Sequence, residues 1–257
     1  MTQKTKLLLV LFFVIFGLES YAQVSKFSNK IEYKQTLNLG DGDWDVMYNL
    51  YFNKDISLYY ENYGTKEKDE TILNDGTVSV VLHTMEKTAN YYFYNLNSQK
   101  ILFGEFIGND YYHFEEDTPL IKWKLLNETK KIGGFTCKKA IGKFRGRTYT
   151  AWYTEEIPLN AGPWKLKGLS GLILEVADDK GIYKAQATNI SLGKEYDLSK
   201  KLTKITFQSK RLAIDQYAKK KHTEQEDRLN YLNSKLQPGE PSYRMEDQNK
   251  REFIELF

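Results

Sequence analysis

The sequence contains one cysteine, five prolines and three histidines among 257 residues. A lone Cys137 excludes an internal disulfide framework and the paired thiolates of a structural zinc site. The net charge is only +3, from 37 basic and 34 acidic side chains that are interspersed, so the sequence lacks the basic surface typical of nucleic-acid binding. Aromatic residues make up 14% of the chain, which indicates a folded globular protein rather than a disordered one.

The one long apolar run lies close to the N-terminus. Lys4 and Lys6 precede apolar residues 7–18, and residues 20–22 place small side chains where a signal peptidase cleaves. We therefore predict that residues 1–22 are a removed secretory signal and that the mature protein is exported, either periplasmic or secreted. No later stretch is long and apolar enough for a membrane span.

Alternation of apolar and polar residues dominates from about residue 30 to residue 207, which predicts antiparallel strands. Glycine and aspartate at 39–43 and at 178–181 predict two hairpin turns. Residues 23–209 are therefore expected to form a mainly β domain, an antiparallel curved sheet or an open half-barrel. Besides two strands flanking the first turn, the pattern predicts Ile56–Glu61, Thr77–Thr84, Ala89–Asn95, Lys100–Ile107, Ile121–Asn127, Phe135–Phe144, Arg147–Thr154, Leu172–Val176 and Gly181–Ile190.

The pattern changes after residue 209. Residues 210–236 contain no proline or glycine, and their apolar residues recur at helical spacing among lysines and glutamates. This predicts a long C-terminal helix. With its tail, residues 210–257 form a second unit that packs on the sheet or projects from it.

Residues typical of metal binding or catalysis are few. His83 and Met85 share a strand face, and His113 is a third candidate ligand for a copper(I) site. Residues 111–117, which include His113 and Glu115, are interpreted as a surface loop with solvated carboxylates. There is no nucleophile elbow, nucleotide-binding loop or complete ligand set, so we predict no catalytic residue, no cofactor and no enzymatic activity.

Several spaced motifs lie between Ile121 and Asp178. They are Ile121–Trp123, Lys131–Ala140, Phe144–Arg147, Ala151–Thr154, Ile157–Pro158, Gly162–Trp164 and Gly168–Ile173. Together with the signal peptide they resemble the GLPGLI family of secreted proteins from Bacteroidota, with Ser170 in place of the namesake proline. The resemblance implies an exported, mainly β protein of unknown function, and it carries over no catalytic residue.

The last of these motifs supplies the candidate binding residues. Glycines there permit sharp turns beside apolar side chains, so the loop is either a lid over a ligand or the closure of one end of the core. Arg145 and Arg147 flank Gly146 and either bind an anionic group or pair with Glu155 or Glu156. The full candidate set is Trp164, Leu166, Gly168, Leu169, Gly171, Leu172, Arg145, Arg147 and Trp152.

A weaker similarity concerns the end of the β region. The strand after Gly168, the hairpin at 178–181 and the late Asp197 are similar to the end of periplasmic lipoprotein-carrier proteins, whose open half-barrel shelters acyl chains. We therefore expect a non-enzymatic exported protein that binds a lipid or another hydrophobic, envelope-derived ligand, or an envelope protein partner. The alternatives are a metal-handling protein or enzyme that uses His83, Met85 and His113, and an interaction module that acts through the C-terminal helix.

Overall fold

The computed structural model describes residues 26–38, 42–62, 67–72, 78–83, 88–96, 98–208, 210–237, 240–242 and 244, with the backbone alone described at 67–72 and 78–83. The predicted signal peptide, Met85 and the tail beyond residue 244 lie outside these residues.

Within the described residues the chain forms fourteen strands and two helices. In chain order the strands are β1 (Lys26–Asn38), β2 (Asp43–Phe52), β3 (Ile56–Glu61), β4 (Glu67–Ile72), β5 (Val78–His83), β6 (Tyr91–Asn95), β7 (Lys100–Ile107), β8 (Asp110–Asp117), β9 (Trp123–Ile132), β10 (Phe135–Phe144), β11 (Arg147–Thr154), β12 (Leu172–Asp178), β13 (Tyr183–Asp197) and β14 (Leu212–Ala213). The helices are α1 (Ser199–Thr206) and α2 (Ile214–Ser234).

Twelve of these strands form one open, curved sheet in the order β14-β8-β7-β6-β3-β2-β1-β13-β12-β11-β10-β9, while β4 and β5 pair as a separate hairpin. Neighbouring strands are antiparallel except for the short β14, which runs parallel to β8. The prediction of a mainly β fold with an open antiparallel sheet and a long C-terminal helix is therefore confirmed.

Strand β1 joins the two halves of the sheet. It pairs with β2 from Asn29 to Asn38 and with β13 from Lys26 to Leu37, so its backbone is hydrogen-bonded on both sides over most of its length. Residues 39–41 of the predicted first turn lie outside the described residues. At the second turn, Gly181 adopts a φ of +72°, a left-handed conformation that glycine accepts without strain.

Apolar side chains pack on both faces of the sheet. The larger cluster lies on what we call the inner face, where Ile31, Tyr33, Leu50 and Phe103 are buried. A smaller cluster on the opposite face buries Leu202 and Ile205 of α1. Strand β6 contributes to both faces, because its alternating side chains enter the two clusters in turn: Tyr92 and Tyr94 the larger, Tyr91 and Phe93 the smaller.

The structure corrects the prediction for residues 111–117. They belong to strand β8 rather than to a surface loop, and Phe114 and Glu116 are buried there. Glu116 interrupts the alternation of apolar and polar residues that predicts a strand. Its carboxyl group faces inward and is buried, although a glutamate in the sequence suggests an exposed position.

The C-terminal helix rests on the sheet through a small area. Tyr217 and Leu229 are the buried residues of α2, and Tyr217 belongs to the inner-face cluster. Neither α1 nor α2, the helices of the described residues, is long and apolar enough to cross a membrane.

Candidate functional site

The loop between β11 and β12, residues 155–171, packs as part of the core. Its side chains enter the inner-face cluster together with the first residue of β12: Trp164, Leu166, Leu169 and Leu172. At Gly171 a Cβ atom would lie 2.0 Å from the carbonyl oxygen of Thr154, so the close contact of the two backbones requires glycine. A hydrophobic ligand on the inner face would have to displace these side chains, and such a ligand remains a prediction.

Hydrogen bonds fix the outer part of the same loop. The indole Nε1 of Trp123 donates to the carbonyl oxygen of Lys167 at 2.8 Å. The backbone N–H of Gly168, which has a φ of +104°, donates to Oδ1 of Asn160 at 2.5 Å. The hydroxyl of Ser170 donates to Glu155 at 2.8 Å, so the Ser170 side chain is also hydrogen-bonded within the loop.

A lysine from this loop lies inside a group of charged and tyrosine side chains that we call the Lys165 cluster: Tyr92, Glu105, Glu116, Arg145, Lys165, Tyr217 and Lys221. Lys165 Nζ lies 3.1 Å from Oε1 of Glu116, and the two side chains are 0% and 1% exposed. The ammonium group also lies 3.7 Å from the ring centroid of Phe103, a cation–π distance. Charged side chains are rarely buried this completely unless they are paired.

Two residues with unusual backbone conformations support the cluster. Arg145 has a φ of +45° and donates from Nη2 to Oε2 of Glu116 at 2.7 Å. Trp164, next to Lys165, has a φ of +57°. These are the non-glycine residues with positive φ in the described part of the chain, and such strain persists where surrounding contacts hold it in place.

Glu105 is the second buried carboxylate of the cluster. Tyr92 donates a short hydrogen bond to one oxygen, Tyr217 donates to the other at 2.9 Å, and Lys221 Nζ lies 3.6 Å away. Burial raises the pKa of Glu105, but the charges of Lys221 and Lys165 and the two tyrosine hydrogen bonds outweigh it, so the pKa lies below its ordinary value. Glu105 is therefore ionised at neutral pH.

The cluster connects four separate parts of the fold. Its members come from strands β6 to β8, the β10–β11 turn, the loop 155–171 and helix α2. A general acid or base needs a pKa close to the working pH, whereas the pKa of Glu105 is lowered. The arrangement therefore favours holding these elements together over proton transfer.

A second group of lysines, glutamates and one aromatic ring lies nearer the solvent, and we call it the Trp152 surface: Glu128, Lys130, Lys139, Trp152 and Glu175. Trp152 on β11 is half-buried and pairs in register with Lys139 on β10 and Glu175 on β12. Lys130 Nζ lies 4.5 Å from the centroid of the indole ring and 2.7 Å from Glu175. Lys139 Nζ donates a hydrogen bond to Oε2 of Glu128 at 2.6 Å.

The structure assigns different partners to the arginines than the sequence suggests. Arg145 lies in the turn rather than on a strand with Arg147, and its partner is Glu116. Arg147 Nη1 donates to Asp178 at 3.2 Å, with both side chains buried. The expected pairing with Glu155 or Glu156 is therefore wrong; Glu155 accepts from Lys138 and Ser170 instead.

The candidate metal ligands are only partly described. His113 Nδ1 lies 2.9 Å from the hydroxyl of Tyr91, and burial, assisted by the charge of Arg211, lowers the pKa of His113. His83 lies in β5, where the backbone alone is described, and Met85 lies outside the described residues. The described residues hold no group of three or more metal-ligating side chains, and the copper alternative remains a prediction.

Sequence reasoning missed Glu105, Glu116 and Lys221 and gave Lys165 no role. One signal was present in the sequence: Lys165 stands between Trp164 and Leu166, in a loop predicted to be either a lid or the closure of one end of the core. A charge inside an apolar stretch that is expected to be buried indicates a buried partner of opposite sign.

Comparison with known proteins identifies the family of the chain. Residues 65–221, more than half of the chain, match the family model described as "N-glycanase peptide, N-terminal domain". The chain belongs to this family. Every residue of the Lys165 cluster and of the Trp152 surface lies within the matched stretch.

Solved structures support the same architecture. Two structures of PNGF-II, in space groups C2 and P21, are each 18% identical to this member of the N-glycanase N-terminal domain family, with a TM-score of 0.52. The matches cover 76% and 77% of this chain but 33% and 34% of PNGF-II, so the chain spans about a third of that protein. At this identity the likeness concerns the fold alone. A comparison with curated proteins finds no match.

Proposed function

We propose that this protein is an exported, non-catalytic module that binds an N-linked glycan or the glycopeptide that carries it. The observation that supports the proposal is the burial of Lys165 with Glu116. This pair holds the loop 155–171 against the inner face, so a ligand would bind at the partly exposed surface of the domain. The ligand class comes from the family, whose description names an N-glycanase.

The state of the two buried carboxylates supports binding without catalysis. Glu116 lies against Lys165 and Arg145, and Glu105 accepts hydrogen bonds from two tyrosines. Proton transfer to a substrate would require these contacts to open. The likeness to PNGF-II covers about a third of that protein, and the activity of the whole of PNGF-II is not carried over to this chain.

Export is part of the same proposal. It rests on the charged and apolar pattern of residues 1–22 and on the resemblance to the secreted GLPGLI proteins. A glycan-binding module would meet glycosylated polypeptides outside the cytoplasm, so location and ligand class are consistent with each other.

The test uses the mature chain, residues 23–257, with an N-glycosylated peptide, the same peptide without its glycan, and the free glycan. Isothermal titration calorimetry measures binding, and mass spectrometry of the recovered glycopeptide measures release of the glycan. We expect binding that depends on the glycan and a glycopeptide that is recovered intact. Release of the glycan would contradict a non-catalytic role, and absence of binding to both glycan-bearing probes would contradict the ligand class.

Native mass spectrometry of the chain purified gently from its own host examines the hydrophobic-ligand prediction. We expect the mass of the mature chain without bound lipid, because the loop 155–171 fills the inner face. A retained lipid at one molecule per chain would favour the carrier function instead and would contradict our proposal.

A further inference from the structure

We propose that one sugar ring of the ligand stacks on the indole of Trp152, with Lys139 and Glu175 as hydrogen-bonding partners. This inference rests on the proposed function and specifies its site. A pyranose ring has a face of C–H bonds and a rim of hydroxyl groups. A site for it therefore needs a fixed aromatic ring with hydrogen-bonding side chains beside it.

The position of Trp152 provides the fixed ring. Its neighbours along β11, Ala151 and Tyr153, are buried in the core, and its own side chain is half-buried. The adjacent strands β10 and β12 hold it on both sides through the register pairs with Lys139 and Glu175. A ring held in this way loses little conformational freedom when a ligand binds.

The charges around the ring favour a neutral ligand rich in hydroxyl groups. Lys130 pairs with Glu175 and Lys139 pairs with Glu128, so two cations are balanced by two carboxylates. A balanced set attracts no strongly charged partner, whereas both the ammonium and the carboxylate groups hydrogen-bond to hydroxyls.

Lys139 Nζ lies 5.7 Å from the centroid of the indole ring, and Lys130 lies closer over it in the present structure. The Lys130 ammonium lies 4.5 Å from the ring centroid, and the Lys130 and Glu175 side chains are 34% and 20% exposed. Ion pairs within reach of solvent are weak, so a sugar can displace Lys130 from the ring and hydrogen-bond to the Glu175 carboxylate that Lys130 releases. Removing the Lys130 side chain is therefore expected to preserve or increase affinity.

The experiment measures the affinity of the mature chain for the N-glycosylated peptide in five forms: the unchanged chain, Trp152→Ala, Trp152→Phe, Lys130→Ala and Trp44→Ala. We expect Trp152→Ala to lower affinity by about tenfold or more, corresponding to the loss of one stacking contact. Trp152→Phe should retain part of the affinity, and Lys130→Ala should bind at least as tightly as the unchanged chain. Trp44, which is 65% exposed on β2, is the matched control and should have no effect.

The outcomes separate this inference from the proposed function. If the unchanged chain binds and Trp152→Ala binds equally well, the site is wrong while glycan binding stands. A tenfold loss in Lys130→Ala with no loss in Trp152→Phe would assign the contact to the ammonium group and overturn the stacking. If the unchanged chain does not bind, the proposed function itself fails. Thermal unfolding of each variant shows that it is folded.

Discussion

The Lys165 cluster and the Trp152 surface use the same residue types at different depths. Each contains lysine–glutamate pairs with a lysine ammonium beside an aromatic ring. Lys165 and Glu116 are 0% and 1% exposed, whereas Lys130 and Glu175 are 34% and 20% exposed. Breaking a buried pair costs about 3–5 kcal/mol because a charge remains without compensation, while an exposed pair contributes about 0–1 kcal/mol.

Under the proposed function, this difference separates structure from binding in one domain. Separating the buried pairs costs much free energy, so they keep the loop 155–171, the β10–β11 turn and α2 in one arrangement. The partly exposed pairs can open for a ligand because their lysines and glutamates are rehydrated at little cost. Residue type alone does not distinguish the two roles, and burial does.

The largest expected effect comes from removing the central cation. Lys165→Met keeps the length of the side chain but leaves Glu116 buried with less positive charge, and we expect a loss of about 3–5 kcal/mol in the free energy of unfolding. Lys130→Met is the matched control and should lose about 1 kcal/mol or less. Urea denaturation measures both, and equal losses would remove the distinction between the two regions.

Acid should weaken the inner region through Glu105. Its pKa is lowered in the folded state, so the stability that it contributes is fully present above pH 4.5, its ordinary value, and is lost as the pH falls through the lowered value. Glu105→Gln should cost about 3 kcal/mol at neutral pH and should flatten this part of the stability profile. Urea titrations at neutral pH and at about pH 3 compare the two chains. A variant with the same acid dependence as the unchanged chain would show that another group is responsible.

Helix α2 should loosen when its buried hydroxyl is removed. Tyr217→Phe keeps the ring packed against Phe103 and Phe114 but loses the 2.9 Å hydrogen bond to Glu105. We expect a loss of about 1.5–3 kcal/mol, the range for hydrogen bonds to charged groups. Tyr231→Phe changes a residue that is 62% exposed on the same helix and should change stability by about 0.5 kcal/mol or less. Losses of equal size would show that Glu105 does not anchor the helix.

The smallest expected effect on stability is at the outer ring. Trp152→Phe should cost about 1 kcal/mol or less, since the side chain is half-buried and its cation–π contact with Lys130 is partly exposed. Trp164→Phe makes the same change at a side chain that is 2% exposed and should cost about 2–3 kcal/mol by leaving a cavity. Thermal unfolding ranks the two variants, and a reversed order would place Trp152 in the core.

Much of the fold could be predicted from local sequence. The bounds of β3, β7, β10 and β11 agree with the predicted strands, because runs rich in apolar residues are bounded there by turn residues. Strand β8 could not be predicted, since Glu116 faces inward. Helix α1 was not predicted because it has only eight residues. Its two buried positions, Leu202 and Ile205, are too few to show a helical period.

The candidate sites were less predictable than the fold. Lys165 meets Glu116 only because the loop 155–171 folds back over the β7–β8 hairpin, and the sequence indicates a buried partner for Lys165 without identifying that partner. The pairs of Trp152 with Lys139 and Glu175 likewise depend on the strand register, which shifts directly beside them, between Trp152 and Tyr153 and between Lys138 and Ala140. Long-range pairing of charges follows from the three-dimensional arrangement, which alternation does not encode.

The most direct test is hydrogen exchange of the mature chain, measured by mass spectrometry with and without the N-glycosylated peptide. It tests whether the Lys165 cluster is structural while the Trp152 surface binds the ligand. The account predicts that the ligand slows exchange in β9 to β12 around Trp152 and leaves the loop 155–171 and α2 unchanged. Slower or faster exchange in that loop or in α2, with no change around Trp152, would contradict it.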